Sequence, residues 1–348
     1  MPSNKNSHFY VGCYTDSPSQ SCGIGQVVLN GQTGELTRVE DLYSLRNPSY
    51  LLETEQGIVT VSEVVRDQGA QVVHITNEAT VTKPLNGDYP CHLAVSPDKR
   101  YLAIANYASG NVNVFQLNDA GEPQQAIGDL YVDGCGPNAD RQEAPHAHQV
   151  TFLAHTPHLA VVDLGADAIH FYHHDQAAQF SHEQSVALTA GSGPRHMVFN
   201  QRESVAYVVC ELSETLVVLR KHADGKWCVT SEQKLITEQE TGEAAAAIKL
   251  SADERYVYVS CRAQNTLCVF DVSADTPKLI GRYPTGGDFP RDFTLSQDGK
   301  WLLVANQHSN NIVSFKLDHQ TGQLEASGFT CQIDAPVCVV EKTAFNAN

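Results

Sequence analysis

Apolar and polar positions along this chain fall into short blocks that recur roughly every 42 to 55 residues. The clearest copies are Pro90–Asp98 and Pro290–Asp298, and each is followed by an apolar run that ends in Ala-Asn, at Asn106 and Asn306. Each block contains a short apolar run, a turn, a second apolar run, a polar turn and a third run. Self-similarity of this kind is typical of a repeat architecture, in which equivalent positions share one environment.

Seven copies of the block can be anchored along the chain, on Pro48, Pro90, His146, Pro194, Ala245, Pro290 and Pro336. The runs are rich in Val, Ile, Leu, Tyr and Phe, with Asp, Asn, Gly and Ser between them, which indicates successive antiparallel hairpins. Residues 243–248 have helical propensity, but sister repeats begin a strand there, so the repeat is given precedence. Four strands per block predict an all-β fold, a seven-bladed β-propeller.

The seventh anchor begins a blade that the remaining residues are too few to complete. Apolar runs at Phe9–Cys13 and Gly25–Leu29 have no anchor of their own, and they supply the missing strands. We therefore expect one domain, 1–348, whose last blade combines 335–348 with about 8–30. Pairing the N- and C-terminal strands in this way closes the ring and removes an exposed sheet edge.

The charge of the chain restricts its partners. With 40 acidic and 23 basic residues, the formal net charge is −17. Nucleic acids and anionic membrane surfaces both require a basic face, so neither is an expected partner. An anionic substrate would need a local group of arginines to overcome the repulsive overall field.

The cysteines and the N-terminal sequence bear on the compartment. None of the ten cysteines forms a Cys-x-x-Cys motif, and several lie inside apolar runs, so we expect reduced thiols. The first residues lack an apolar signal region, and no stretch approaches the ~20 apolar residues of a membrane span. The prediction is a cytoplasmic protein.

Ionisable residues concentrate at two positions of the repeat that share one rim of a propeller channel, namely the start of the first strand and the end of the second. The starts carry His92, His146, His148, Arg195, His196, Arg291 and Asp292. The ends carry Glu63, Asn106, Asp163, Glu211, Arg262, Asn306 and Gln307. Strand ends meet water and tolerate polarity, but charges placed directly after apolar strands are costly without partners.

Such a concentration predicts a site rather than a purely structural rim. We assign catalytic roles to His148, Arg195, Glu211 and Arg262, and substrate-binding roles to His92, His146, Asp163, His196, Arg291 and Gln307. Asn106 and Asn306 are interpreted as hairpin residues, and Tyr107 as packing. No metal and no cofactor is called for.

The segment Gly193–Phe199, followed by Tyr207–Leu212, resembles the lactonase family of seven-bladed propellers. Cys91–Asp98, Pro145–His148 and Phe289–Phe293 fit the same pattern, so that the resemblance covers essentially the whole chain. The family includes propeller-type 6-phosphogluconolactonases and fungal carboxy-muconate lactonizing enzymes.

The resemblance implies a site at His148, Arg195, Glu211 and Arg262, and it implies hydrolysis of 6-phospho-glucono-1,5-lactone to 6-phosphogluconate in the pentose phosphate pathway. The expected partner is therefore a small anionic sugar lactone. Cys210 and Cys261 stand where family members often have Asn, and Ala247 occupies a position often filled by an acidic residue.

Lactone hydrolysis needs a base for the attacking water and a cation for the developing oxyanion. Glu211 or His148 is the candidate base, Arg195 the candidate oxyanion partner, and Arg262 or Arg291 the candidate phosphate ligand. No Gly-x-Ser-x-Gly motif is evident, which favours direct attack by water.

Three alternatives stay open at this point. A cycloisomerase would use the same arginines to bind carboxylates. A metal-dependent lactonase would take ligands from Glu63, Asn106, Asp163 and Glu211, although Arg195 and Arg262 would repel the cation. A non-enzymatic scaffold is compatible with the fold, since fold alone does not define function.

Overall fold

The structure is a computed structural model that describes residues 6–237 and 241–343. It contains 28 strands within these ranges. In chain order, the first eleven are β1 Ser7–Cys13, β2 Gly23–Leu29, β3 Leu36–Ser44, β4 Leu51–Thr54, β5 Gly57–Ser62, β6 Gln71–Ile75, β7 Thr80–Pro84, β8 Pro90–Val95, β9 Tyr101–Asn106, β10 Val112–Leu117 and β11 Pro123–Leu130. The next eight are β12 Ala147–Phe152, β13 His158–Asp163, β14 Ala168–His174, β15 Phe180–Ala187, β16 Pro194–Phe199, β17 Val205–Cys210, β18 Thr215–Lys221 and β19 Trp227–Lys234. The last nine are β20 Ala245–Leu250, β21 Tyr256–Cys261, β22 Thr266–Asp271, β23 Lys278–Pro284, β24 Pro290–Leu295, β25 Trp301–Asn306, β26 Asn311–Leu317, β27 Leu324–Gln332 and β28 Pro336–Glu341.

These strands form seven four-stranded sheets. Six sheets follow chain order, β4 to β7, β8 to β11, β12 to β15, β16 to β19, β20 to β23 and β24 to β27. The seventh has the order β28-β1-β2-β3, and Tyr10 of β1 lies opposite Val340 of β28. The predicted all-β, seven-bladed β-propeller is confirmed, and so is closure of the ring by the N- and C-terminal strands.

Little of the described chain is helical. A 3-10 helix, Arg66–Gln68, follows β5. The alanine-rich run with helical propensity forms strand β20, as the repeat predicted. Within the described residues, no helix combines the length and the apolar content that crossing a membrane requires.

A β-bulge recurs near the start of the first strand of the repeat. Between β16 and β17, Pro194 pairs with Cys210 and His196 with Val209, so that Arg195 is the extra residue. The same two-for-one register occurs in the sheets that begin with β8, β12 and β24, where the extra residues are Cys91, His148 and Arg291. A bulge re-aims the side chain of its extra residue and interrupts the ladder locally.

The register also corrects one anchor. In the β12–β13 pair, Ala147 lies opposite Asp163, just as Pro194 lies opposite Cys210. The anchor slot of this repeat is therefore filled by Ala147, and His146 precedes it by one residue. Ala245 does occupy its predicted anchor slot, opposite Cys261.

Two compact units can be distinguished in the described chain. One consists of residues up to Glu55 and from Ala244 onwards, and the other is Gln56–Glu243. In both units the hydrophobic core lies between neighbouring sheets. One cluster of Gln56–Glu243, for example, joins Val162 and Phe171 of one sheet to Val208 and Trp227 of the next. The fourth strand of each sheet is the most exposed, as in β3 and β19.

Candidate active site

The bulges place two predicted catalytic residues of the unit Gln56–Glu243. His148 is the extra residue at the start of β12, and Arg195 is the extra residue at the start of β16. Both side chains are buried, although arginine usually lies at the surface. Buried ionisable groups require partners, and these partners define the site.

Two further residues enter the site from the position directly after a second strand. Glu211 follows β17 and Tyr107 follows β9. The backbone N–H of Glu211 donates to Gly193 O at 2.6 Å, which ties Glu211 to the residue that begins the Gly-Pro-Arg sequence. Glu211 was predicted from the sequence, whereas Tyr107 was interpreted as a packing residue.

Asp163 lies one residue earlier in the repeat than Glu211. It is the last residue of β13 and corresponds to Cys210, because each lies opposite the anchor of its own sheet. Successive strand residues point to opposite faces, so the two carboxylates are presented differently. Asp163 Oδ1 accepts hydrogen bonds from the backbone N–H groups of His146 at 2.8 Å and Ala166 at 3.0 Å. Asp163 thus supports the backbone around His146.

The site contains one arginine that the sequence did not indicate. Arg141 lies in the irregular segment 131–146, which connects β11 and β12. Its Nη2 donates to Glu211 Oε1 at 2.7 Å and to the Tyr107 hydroxyl at 3.3 Å. Arg195 Nε lies 3.1 Å from the other carboxylate oxygen, Oε2. We call Arg141, Arg195 and Glu211 the carboxylate clamp.

The clamp combines a fixed and a more accessible cation. The side chains of Arg195 and Glu211 are only 4% and 5% exposed, whereas that of Arg141 is 35% exposed. Burial alone would lower the pKa of Arg141, but the negative charge and hydrogen bond of Glu211 raise that pKa above its ordinary value. Burial raises the pKa of Tyr107, with Arg141 opposing, so its hydroxyl is un-ionised near neutral pH.

Four histidines lie beside the clamp. His146 stacks on the Tyr107 ring with centroids 4.7 Å apart, and the His148 ring meets the same tyrosine edge-on at 5.4 Å. His196 lies between His148, at 5.3 Å, and His92, at 5.5 Å. All four histidines were predicted as site residues, and the structure brings them together around Tyr107 and Arg195. We call them the histidine cluster.

A buried aspartate connects the two segments that carry the arginines. Asp167 Oδ1 accepts hydrogen bonds from Gln142 Nε2 and from the backbone N–H of Gly193, both at 2.7 Å. Gln142 adjoins Arg141, and Gly193 precedes Arg195 by two residues. Gln142 is fully buried and also donates to Leu164 O at 2.9 Å. Asp167 therefore links the backbone segment that carries Arg141 to the segment that carries Arg195.

Three predicted site residues, Arg262, Arg291 and Gln307, belong to the other unit, where each has partners of its own. Arg262 Nε donates to Ala244 O at 3.0 Å, and its guanidinium lies 5.0 Å from the Phe289 ring centroid. Arg291 Nη2 donates to the Tyr14 hydroxyl at 2.7 Å. Gln307 donates its backbone N–H to Phe289 O at 3.0 Å.

Ala247, the position for which the family resemblance implied an acidic residue, is fully buried. It packs in a core cluster with Tyr258 and Phe293. The position is therefore part of the core between two sheets, and no carboxylate is presented from it.

Comparisons with known proteins agree with this fold. The family model described as "Lactonase, 7-bladed beta-propeller" matches residues 8–341, so the chain belongs to this family. Among curated proteins, the 6-phosphogluconolactonase of Bacillus subtilis (strain 168) is 30% identical over 341 residues, covering 95% of this chain and 97% of the relative.

Solved structures of similar fold also include lactonases. A putative 6-phosphogluconolactonase from Bacteroides fragilis superposes with a TM-score of 0.86 at 29% identity, covering 99% of both chains. The periplasmic gluconolactonase PpgL of Pseudomonas aeruginosa gives a TM-score of 0.88 at 25% identity, covering 97% of this chain and 99% of that one. The predicted family and enzyme class, a lactone hydrolase, are confirmed by these relatives.

Proposed function

We propose that this protein hydrolyses a sugar lactone, specifically 6-phospho-D-glucono-1,5-lactone, to 6-phosphogluconate, a step of the pentose phosphate pathway. The observation that carries the proposal is the carboxylate clamp beside the histidine cluster. It sets a buried cation, Arg195, beside His196, whose ring lies 5.3 Å from that of His148, within a protein of formal charge −17. Family membership and the names of the relatives support the same reaction.

In the proposed reaction, water attacks the lactone carbonyl carbon while His148 accepts one of its protons. The carbonyl oxygen becomes an oxyanion, which the Arg195 guanidinium stabilises. When the intermediate collapses, the bond between the carbonyl carbon and the ring oxygen breaks. The ring oxygen takes the proton from His148 and becomes a hydroxyl, and the new carboxylic acid releases its proton to solvent.

The contacts of Glu211 support His148, rather than Glu211, as the base. Both carboxylate oxygens of Glu211 already face guanidinium nitrogens, one from Arg141 and one from Arg195. A carboxylate held by two cations is a weak proton acceptor, because the charged form is favoured. Imidazole ordinarily titrates near neutral pH and suits a general base that later returns its proton. Glu211 then orients Arg195.

The phosphate-binding role of Arg262 or Arg291 stays a prediction. Their guanidiniums are supported by Ala244 O and by the Tyr14 hydroxyl, contacts that hold a cation in place without neutralising its charge. We expect Arg262→Ala or Arg291→Ala to raise KM more for the phosphorylated than for the unphosphorylated lactone.

The test is a lactonase assay of the purified protein, corrected for spontaneous hydrolysis, with 6-phosphoglucono-1,5-lactone and glucono-1,5-lactone compared in parallel. We expect catalysed hydrolysis with the higher kcat/KM on the phosphorylated lactone. Equal kcat/KM on both would overturn the phosphate assignment. A protein that accelerates neither reaction above the uncatalysed rate would overturn the proposal and favour the cycloisomerase or scaffold alternative.

A further inference from the structure

Arg141 lies in a connecting segment outside the repeat, and from there its side chain binds Glu211. The segment 131–146 is irregular, and its backbone is held by hydrogen bonds from Gly136 N to Gln142 O at 3.0 Å and from Gln142 N to Asn138 O at 2.7 Å. The buried side chain of Gln142 fixes this turn to Asp167 and Leu164. These hydrogen bonds hold the backbone around Arg141 in place.

The charge balance of the clamp depends on Arg141. Arg195 and Glu211 alone would form a neutral pair, and a guanidinium neutralised by a buried carboxylate attracts an anion only weakly. With Arg141 on the second carboxylate oxygen, two positive groups share one negative group. Arg141 therefore makes the clamp more positive by one charge than it would be without this residue.

Two further carboxyl groups, Asp163 and Asp167, are buried near the clamp, and a substitution of Arg141 leaves both in place. The Tyr107 hydroxyl, which accepts from Arg141, is un-ionised because burial raises its pKa. Glu143 faces His146 Nε2 at 3.3 Å, and its side chain is 58% exposed, so water screens it. The histidines that neighbour Arg195 add positive or no charge.

We propose that Arg141 is a charge-setting and positioning residue of this site: by sharing Glu211 with Arg195, it adds one positive charge to the clamp and so favours binding of a phosphorylated sugar acid or lactone. The inference rests on the proposed function for its substrate class. It assigns Arg141 a role through Glu211 and through the local field, without contact to the reacting atoms.

The experiment compares wild type with Arg141→Met, which removes the charge at similar length, and Arg141→Lys, which keeps it. Binding of 6-phosphogluconate and of gluconate is measured by calorimetry at low and high ionic strength. We expect Arg141→Met to weaken 6-phosphogluconate binding roughly tenfold and gluconate binding less, because the former carries more negative charge. Arg141→Lys should recover most of the loss. Salt should weaken wild-type binding more steeply than that of Arg141→Met.

The outcomes separate this inference from the proposed function. Equal binding of 6-phosphogluconate by wild type and Arg141→Met, or an unchanged salt dependence, would overturn the role of Arg141. So would equal losses in the Met and Lys variants, or a wild type that binds neither ligand. A wild type that binds 6-phosphogluconate but hydrolyses no lactone refutes only the proposed function. If Arg141→Met fails to fold, Arg141→Gln provides the same loss of charge.

Discussion

In the proposed mechanism, the groups that surround Glu211 and His148 give these two residues different roles. Glu211 is an acid by residue type, yet its two guanidinium partners favour permanent ionisation and suit it to orient cations. His148 is the extra residue of a bulge, and the rings of Tyr107 and His196 meet it edge-on. Residue type alone left both as candidate bases, and these contacts are the reason that we propose His148.

We predict that His148→Ala lowers kcat for the lactone by roughly 10²–10⁴-fold, the usual contribution of a general base. Glu211→Gln should fold and lose less, because it disturbs the placement of Arg195 without removing the base. Steady-state kinetics with His319→Ala, an exposed turn histidine, as control measures the difference. A larger loss in Glu211→Gln than in His148→Ala would make Glu211 the base.

His74 gives a prediction about pH. It is fully buried in β6, and neither ring nitrogen has a hydrogen-bond partner among the described residues. Burial lowers its pKa, with the negative charge of Glu122 opposing in part. The unfolded chain therefore binds a proton at pH values where the folded chain does not, so this residue reduces stability as pH falls through about 6.5 and has no effect above.

Replacing His74 with Phe should flatten the loss of unfolding free energy between pH 7 and pH 5, because the proton-binding difference disappears. Urea denaturation across this range checks it, with the exposed His319→Ala as control. An unchanged pH slope in His74→Phe would contradict the prediction.

The sequence identified the residues of the site unevenly, and the reason is physical. His148, Arg195 and Glu211 lie at repeated positions, so periodicity alone selected them. Arg141 lies in a connecting segment outside the repeat, where no periodic signal exists. Asp163 was grouped with Glu211 although it precedes the equivalent position by one residue, and a shift of one residue in a strand exchanges its faces.

At the scale of elements, the recurring block specifies a first strand that begins with a bulge. Proline starts a strand without needing to donate a hydrogen bond, and the residue after it is then left out of the ladder. In β16 and β24 that residue is an arginine, and in β12 it is a histidine. The strands and their order were predictable because apolar runs and turn residues repeat. The bulge can be located only from the pairing of residues between the two strands, and the pattern of a single sequence does not give this pairing.

Gly193, at the entrance to β16, should be intolerant of any side chain. Its φ is +59°, and an added Cβ would lie 2.5 Å from Leu212 Cγ. Gly225 is a matched control, because its φ is +87° and an added Cβ would meet no atom within 4 Å. We expect Gly225→Ala to cost about 1 kcal/mol from backbone strain alone.

Gly193→Ala should cost about 2 kcal/mol more than Gly225→Ala, because steric overlap adds to the strain. It should also lower kcat/KM, since Gly193 binds Asp167 and Glu211 through its backbone. Urea denaturation of both variants, with activity measured in parallel, tests this. Equal costs in the two variants would show that Leu212 yields without penalty.

At the scale of the whole molecule, the sheet β28-β1-β2-β3 joins the two ends of the described chain. Phe9 and Val11 of β1 and Val339 of β28 belong to one core cluster with Trp301 and Ile312. Closure was predictable because one anchor lacked strands and two early runs lacked an anchor.

Deleting residues 335–348 removes β28 and leaves β1 as an unpaired edge. We predict a lower thermal midpoint and a greater tendency to aggregate, because an apolar edge strand is a template for pairing with other chains. Calorimetry and light scattering measure both effects. A deletion variant that melts at the wild-type temperature and stays monodisperse would rule out a stabilising role for this closure.

The pairing of β1 with β28 has a consequence for synthesis on the ribosome. Translation produces β1 before the other 27 strands of the described residues and β28 after all of them, so β1 spends nearly the whole of elongation without one of its two neighbours. Sheets built from consecutive strands can form as they emerge, whereas this contact spans almost the entire described sequence and carries the greatest loop-closure entropy. The nascent chain therefore exposes an apolar strand edge throughout translation, and it is during this interval that chaperone binding would protect it most.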